Sequence, residues 1–205
     1  MTAIIDYGVG NLFSLSGGFH EIGVETEITN DPARIQAADR VVLPGVGAFG
    51  DAMEKLKATG LIEILRQEAE KKPFLGICLG MQLLFEKSYE YGEHAGLGFI
   101  SGIVSGLRED LENKNLKVPH MGWNALKITR QDDLLKYTRD GEYVYYVHSF
   151  YAKDCKEDTL AISEYGNIAV TGVVRKNLIC GTQFHPEKSG DTGLNILRAF
   201  AELGG

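Results

Sequence analysis

Through residue 85 the chain alternates short apolar runs with stretches of helical spacing, and nothing constrains its fold more than this rhythm. Ala3-Ile4-Ile5 is stopped by Asp6-Tyr7-Gly8-Val9-Gly10-Asn11, and a helix-like stretch follows from Leu12 to about Glu21. Val24 to Thr29 reads as a second strand. Arg40-Val41-Val42-Leu43 reads as a buried one, ended by Pro44-Gly45-Val46-Gly47. Met53, Leu56, Leu61, Ile62 and Leu65 keep helical spacing with a break near Gly60; Pro73 to Ile77 is a further strand, and Leu79 to Glu86 a helix. Short apolar strands separated by helices require a parallel sheet with helices on both faces.

From about Gly102 the rhythm becomes strand after strand: Ile103–Leu107, Trp123–Ile128, Tyr143–Val147, Leu160–Glu164, Ala169–Arg175 and Leu178–Thr182. These extend the first sheet or form an antiparallel layer beside it. Leu194, Leu197, Phe200 and Leu203 stripe a last helix that packs on the sheet. The predicted class is α/β: a mostly parallel central sheet with helices on both faces, plus additional antiparallel strands in the C-terminal half. The absence of repeats or a linker predicts one domain over residues 1–205.

Composition excludes several classes. Net charge is −7 without a Lys/Arg cluster, so no nucleic-acid surface is expected. No stretch free of Asp, Glu, Lys and Arg exceeds 14 residues, and Pro73–Phe85 has 13, whereas a membrane span needs about 18 or more. No Lys or Arg precedes Arg34, so the basic start of a secretory signal is missing. Cys78, Cys155 and Cys180 form no CxxC pair, which predicts free thiols in a reducing cytoplasm and no metal site. Cys180 reads as core and Cys155, in a polar loop, as exposed.

Gly76-Ile77-Cys78-Leu79-Gly80 sits where a strand runs into a helix, with the spacing of a nucleophile elbow. Glycines on either side remove side chains that would clash in so tight a turn, and the Leu79 N–H can donate to a developing oxyanion. Gln82 and Glu86 follow Cys78 at i+4 and i+8, a polar stripe that lines a cleft or meets solvent. A cysteine in an apolar run also suits a small core side chain.

A neutral thiol needs a base. Among five histidines, His185 stands out because Glu187 follows two residues later. Along extended backbone both side chains project to one side, and the carboxylate can fix the imidazole tautomer. Pro44-Gly45-Val46-Gly47 is the candidate for a second oxyanion donor, from Val46, and equally fits an ordinary tight loop. Gly8-Val9-Gly10 lacks the third glycine of a dinucleotide fingerprint, since Phe13 occupies that position. On chemistry alone a cysteine peptidase also remains open.

Gly76-Ile77-Cys78-Leu79-Gly80-Met81-Gln82, taken with Gln183-Phe184-His185-Pro186-Glu187, resembles the class I, triad-type, glutamine amidotransferase family with its flavodoxin-like fold. Three further segments resemble its branch of imidazole glycerol phosphate synthase glutaminase subunits, in histidine biosynthesis. They are Pro44-Gly45-Val46-Gly47-Ala48-Phe49, Val118-Pro119-His120-Met121-Gly122-Trp123-Asn124 and Tyr146-Val147-His148-Ser149-Phe150. The resemblance spans nearly the whole chain. It implies that Cys78, His185 and Glu187 hydrolyse glutamine through a thioester, with Leu79 and Val46 at the oxyanion. Gly47, Gln82, Glu86, His148, Ser149 and Phe150 would border the substrate. Asn11, Met121, Trp123 and Lys188 would face a (βα)8-barrel cyclase that consumes the ammonia, in a heterodimer. No metal or organic cofactor is implied. Phe13 stands where the family pattern is basic, which alters one contact with the partner. Two alternatives stay open: an amidotransferase serving another synthase, and an inactive binding module on the same fold.

Overall fold

Neighbouring residues of the first strands send their side chains into two different cores. In the computed structural model, which describes residues 1–204, Ile4, Val42 and Leu75 join one apolar cluster, and Ile5, Val41, Leu43 and Phe74 join another. The strands are β1 (Thr2–Ile5), β2 (Thr26–Thr29), β3 (Arg40–Leu43) and β4 (Phe74–Ile77). Side chains alternate between the two faces along a strand, and Ile4-Ile5, Val41-Val42-Leu43 and Phe74-Leu75 are apolar on both, so each face needs its own helical cover. Helices α1 (Leu12–Glu21) and α7 (Gly190–Ala201) cover one face through Leu15, Phe19, Ile196, Leu197 and Phe200. Helices α2 (Pro32–Ala37), α3 (Phe49–Ala58) and α4 (Ile62–Ala69) cover the other through Ile35, Met53, Leu56 and Leu65. Asn11 and Asp31 cap α1 and α2 by accepting from Ser14 N and Ala33 N.

The C-terminal half does both things its strand pattern allowed. Strands β9 (Lys127–Ile128), β12 (Thr159–Tyr165), β13 (Ile168–Lys176) and β14 (Ile179–Thr182) extend the sheet to eight strands, ordered β2-β1-β3-β4-β14-β13-β12-β9. β14 runs parallel to β4, while β13, β12 and β9 alternate antiparallel beyond it. The rest forms separate layers. β8 (His120–Ala125) pairs with β10 (Tyr143–His148). β5 (Phe85–Ser88), β6 (His94–Ala95), β7 (Ile100–Gly106) and β11 (Phe150–Lys153) make a four-stranded sheet. A short α6 (Leu107–Asp110) follows β7.

Two expectations are corrected. The helix expected over Leu79–Glu86 ends at Gln82 (α5, Leu79–Gln82), and β5 begins at Phe85. The run Leu83-Leu84-Phe85 is buried all round, so its periodicity could not separate a helix from a buried strand. Cys155, expected at the surface, is buried: its Sγ lies 3.7 Å from both Thr159 Oγ1 and Thr171 Oγ1, because the polar loop folds back over β13. Cys180 is core, as its apolar neighbours required.

Candidate active site

β4 and β14 are adjacent and parallel, with Ile77 opposite Thr182. Parallel neighbours end at the same sheet edge, so residues distant in sequence leave the sheet side by side. Cys78 follows one strand end directly, and His185 follows the other by three positions.

Cys78 adopts φ +55°, ψ −113°, a conformation L residues rarely hold and that costs about 1–3 kcal/mol. The surroundings over-determine it. Cys78 N donates to Thr182 O at 2.7 Å, and Gln82 N donates to Cys78 O at 3.1 Å. Backbone packing does the rest. A Cβ on Gly76 would stand 2.6 Å from Gly80 O, and one on Gly80 would stand 1.9 Å from Leu43 O. A Cβ on Gly45 would stand 2.6 Å from Gly80 N, so the Pro44–Gly47 loop lies directly on the start of α5. Buried Tyr7 donates its hydroxyl to Pro44 O at 2.7 Å and secures that loop. This gives the Asp6-Tyr7-Gly8 segment a structural part the sequence did not disclose.

His185 Nδ1 is 2.8 Å from Glu187 Oε1, and both side chains are almost fully buried. His185 N donates to Tyr145 O, and Ser189 Oγ donates to His185 O at 2.6 Å and accepts from Tyr145 N at 2.9 Å, so the turn is bolted to β10. The Glu187 contact makes Nδ1 the protonated nitrogen and leaves Nε2 for the thiol side. Burial disfavours the imidazolium, but the hydrogen bonds and charges of Cys78 and Glu187 outweigh it and push the His185 pKa up to about 10. A cation between a sulfur and a carboxylate can hold a thiolate and deliver a proton to a leaving group.

The thiol opens into a cleft of about 340 Å³ lined by Val46, Gly47, Cys78, Leu79, Gln82, Glu90, Tyr91, Pro119, Val147, His148, Ser149, Phe150 and His185. Of the expected site residues, Glu187 sits behind His185, and Glu86 is not brought in. With α5 only one turn long, Glu86 lies on β5, exposed, and accepts from Gly102 N at 3.0 Å. The buried carboxylate at the cleft is Glu90, which sequence reading missed. Its Oε2 accepts from Phe49 N at 2.5 Å, and burial raises its pKa against that bond. Glu90 belongs to no periodic run, and only the early end of α5 brings it in. Tyr91, 88% exposed at φ +54°, packs edge-on against Phe150 at the rim. A larger cavity of about 920 Å³ lies between Lys153 and Thr171, away from the thiol and without a nucleophile–base pair.

Met121 is 61% and Trp123 57% exposed on β8, so the one tryptophan lies at the surface and not in the core. Asn11, Val46 and Lys188 are also exposed, as is Phe13. Behind Trp123, His120 stacks between Tyr146 and Tyr165 and shares a 2.9 Å hydrogen bond with His148. Burial lowers the pKa of His120 to about 4 and of His148 to about 3. Both values lie below the ordinary 6.5, so the neutral pair stabilises the fold above pH 6.5. That contribution drains as pH falls from 6.5 toward 4 for His120 and toward 3 for His148, at up to about 1.4 kcal/mol per pH unit for each ring. His185 runs the other way: its contribution is full below pH 6.5 and fades as pH rises toward 10. Urea midpoints at pH 7 and pH 5 are expected to differ clearly in the wild type and less in His120→Gln. Equal midpoint differences would remove the histidine pair as the cause.

Among the described residues no helix is long and apolar enough to cross a membrane, and no cluster of three or more His, Cys, Asp or Glu is arranged to hold a metal ion. The family model described as "Glutamine amidotransferase class-I" matches residues 3–202. The imidazole glycerol phosphate synthase subunit HisH of Wolinella succinogenes is 47% identical, covering 100% of both chains. The subunit of that name from Caldanaerobacter subterraneus is also 47% identical, over 99% of this chain and 98% of its own. A solved structure of PurLQS from Thermotoga maritima shares the fold at TM-score 0.73 and 17% identity, covering 98% of this chain and 96% of that one. With a full-length match in both sequence and fold around this strand-end thiol, the chain belongs to the class I glutamine amidotransferases, beside the HisH subunits of imidazole glycerol phosphate synthase.

Proposed function

We propose that this chain is a glutaminase subunit of imidazole glycerol phosphate synthase, hydrolysing glutamine and passing ammonia to a (βα)8-barrel cyclase in a heterodimer. The observation that carries the reading is the convergence of Cys78, His185 and Glu187 at the floor of a small cleft. The Cys78 thiolate attacks the side-chain carboxamide carbon, and the oxyanion is held by the N–H groups of Leu79 and Val46. As the C–N bond breaks, the His185 imidazolium gives its proton to the departing nitrogen, and ammonia leaves a glutamyl thioester. Water adds to the thioester, giving a proton to His185, and the C–S bond breaks to release glutamate. Glu187 orients the imidazole throughout. Glu90, not Glu86, is the carboxylate placed for the substrate ammonium, with Gln82 and the Gly47, His148, Ser149 and Phe150 walls around it. A small amino acid fits this cleft better than an extended peptide, which disfavours a peptidase. The match over residues 3–202 supports one domain, and three free cysteines suit the cytoplasm.

The direct test is glutamine hydrolysis by the chain alone and with the cyclase and its nucleotide ligand. No glutamate formation under any condition would defeat the reading. Exposed Met121 and Trp123, with Asn11 and Lys188, form the proposed docking face. Trp123→Ala is expected to weaken cyclase binding by about 2 kcal/mol, the scale of an aromatic interface anchor. The melt of the free chain should barely move, because the ring is over half exposed. Unchanged affinity in a titration would place the docking face elsewhere.

A further inference from the structure

Gln183 is wholly buried, and its Nε2 lies 3.8 Å from Cys78 Sγ, within hydrogen-bond reach of sulfur. The orientation of its amide follows from its neighbours. Gln82 Nε2 lies 2.9 Å from Phe150 O and 3.0 Å from Gln183 Oε1. A backbone carbonyl only accepts, so the NH2 of Gln82 must face Phe150 O. The second hydrogen of that NH2 meets the oxygen of Gln183, which turns the Gln183 NH2 toward the sulfur.

The same carbonyl orders a second branch. His148 Nδ1 is 2.8 Å from Phe150 O and therefore carries the hydrogen, so His148 Nε2 accepts from His120 Nδ1. Asn124, on the strand bearing Met121 and Trp123, donates to Glu164 O at 2.9 Å and to His120 Nε2 at 3.3 Å. Acceptor-only carbonyls at Glu164 and Phe150 thus fix the direction of each bond, and the two branches meet at Phe150 O, which accepts from both His148 and Gln82.

We propose that Gln183 is a further catalytic residue of this glutaminase, its side-chain amide donating to the Cys78 sulfur while Gln82 and the Phe150 carbonyl hold it in that orientation. The inference rests on the glutaminase reading. Sulfur carries negative charge twice per turnover, before attack on the carboxamide and again when the C–S bond breaks. A fixed donor favours the charged sulfur both times. Both amide hydrogens of Gln82 are engaged, so toward substrate Gln82 offers only its carbonyl oxygen.

The test compares Gln183→Glu and Gln183→Met with the wild type, in complex with the cyclase. Gln183→Glu keeps an oxygen for Gln82 but replaces the donor facing sulfur; Gln183→Met removes both ends at similar volume. Each is expected to lower kcat for glutamine hydrolysis about 10- to 100-fold, the scale of a hydrogen bond to a charged group, with Gln183→Glu the more affected. KM should change by less than about threefold, since Gln183 is not among the cleft-lining residues. The pH profile of Cys78 alkylation by iodoacetamide should move to higher pH in both. His185, Tyr7, Glu90, Tyr91 and His148, the other titratable groups around the thiol and its cleft, are unaltered in either variant. An unshifted alkylation profile in a variant that melts within a few degrees of wild type would overturn the proposal. Should Gln183→Met fail to fold, the near-isosteric Gln183→Glu decides. A wild-type complex without glutaminase activity would defeat the functional reading instead, and alkylation of Cys78 would still test the bond to sulfur.

Discussion

Cys78→Ala in the cyclase complex should lose glutamine-dependent synthesis by several orders of magnitude, because deleting the proposed nucleophile would delete the covalent step. Ammonia-dependent synthesis at raised pH, where free NH3 is abundant, should stay within a few-fold of wild type, about 1 kcal/mol or less. The geometry explains why the two should separate. Alanine bears the positive φ of position 78 no worse than cysteine does, since both carry a Cβ, and the clamping bonds to Thr182 and Gln82 are made by backbone. Trp123 and Met121 of the proposed docking face lie on a different element. Assaying both nitrogen sources on one mutant complex decides the matter. Equal loss with both would mean that the sulfur is structural, or that this chain takes part in the synthase step itself.

Gly80→Ala should be among the most destabilising single substitutions in the chain. Its Cβ would stand 1.9 Å from Leu43 O, 2.8 Å from Leu43 C and 3.1 Å from Pro44 C. Those atoms are backbone at the end of a central strand, whose partners on both sides are themselves paired, so none can swing aside. A loss of more than about 3 kcal/mol is expected, lowering Tm by roughly 6–12 °C. Glutaminase activity should fall with it, since moving α5 moves Leu79 and the Pro44–Gly47 loop together. Gly17→Ala supplies the contrast. Gly17 lies inside α1, exposed, with nothing within 4 Å of its Cβ position, so alanine should be neutral or stabilise by up to about 1 kcal/mol. If Gly80→Ala melts within a few degrees of wild type, the elbow is not clamped as described.

The sequence by itself determined the features that depend on neighbours along the chain. Runs such as Val41-Val42-Leu43, apolar at consecutive positions, required a sheet covered on both faces, and two separate apolar clusters flank it. The strand–turn–helix around Cys78 was readable because flanking glycines report local crowding, and His185 with Glu187 because two residues of extended chain bring them to one side. Local pattern failed where burial is complete. Leu83-Leu84-Phe85 has no polar face to mark a period, so the end of α5 was set by the tertiary packing. That one difference sent Glu86 outward and brought Glu90 to the cleft. Cys155 sits among charged neighbours yet is covered by a loop that folds back, and Trp123 has core chemistry yet lies on an outer strand. The polarity of the Gln82–Gln183 pair depends on the Phe150 carbonyl, far away in sequence and adjacent in space. Which groups meet across such distances is a property of strand order and register, and no local spacing encodes it.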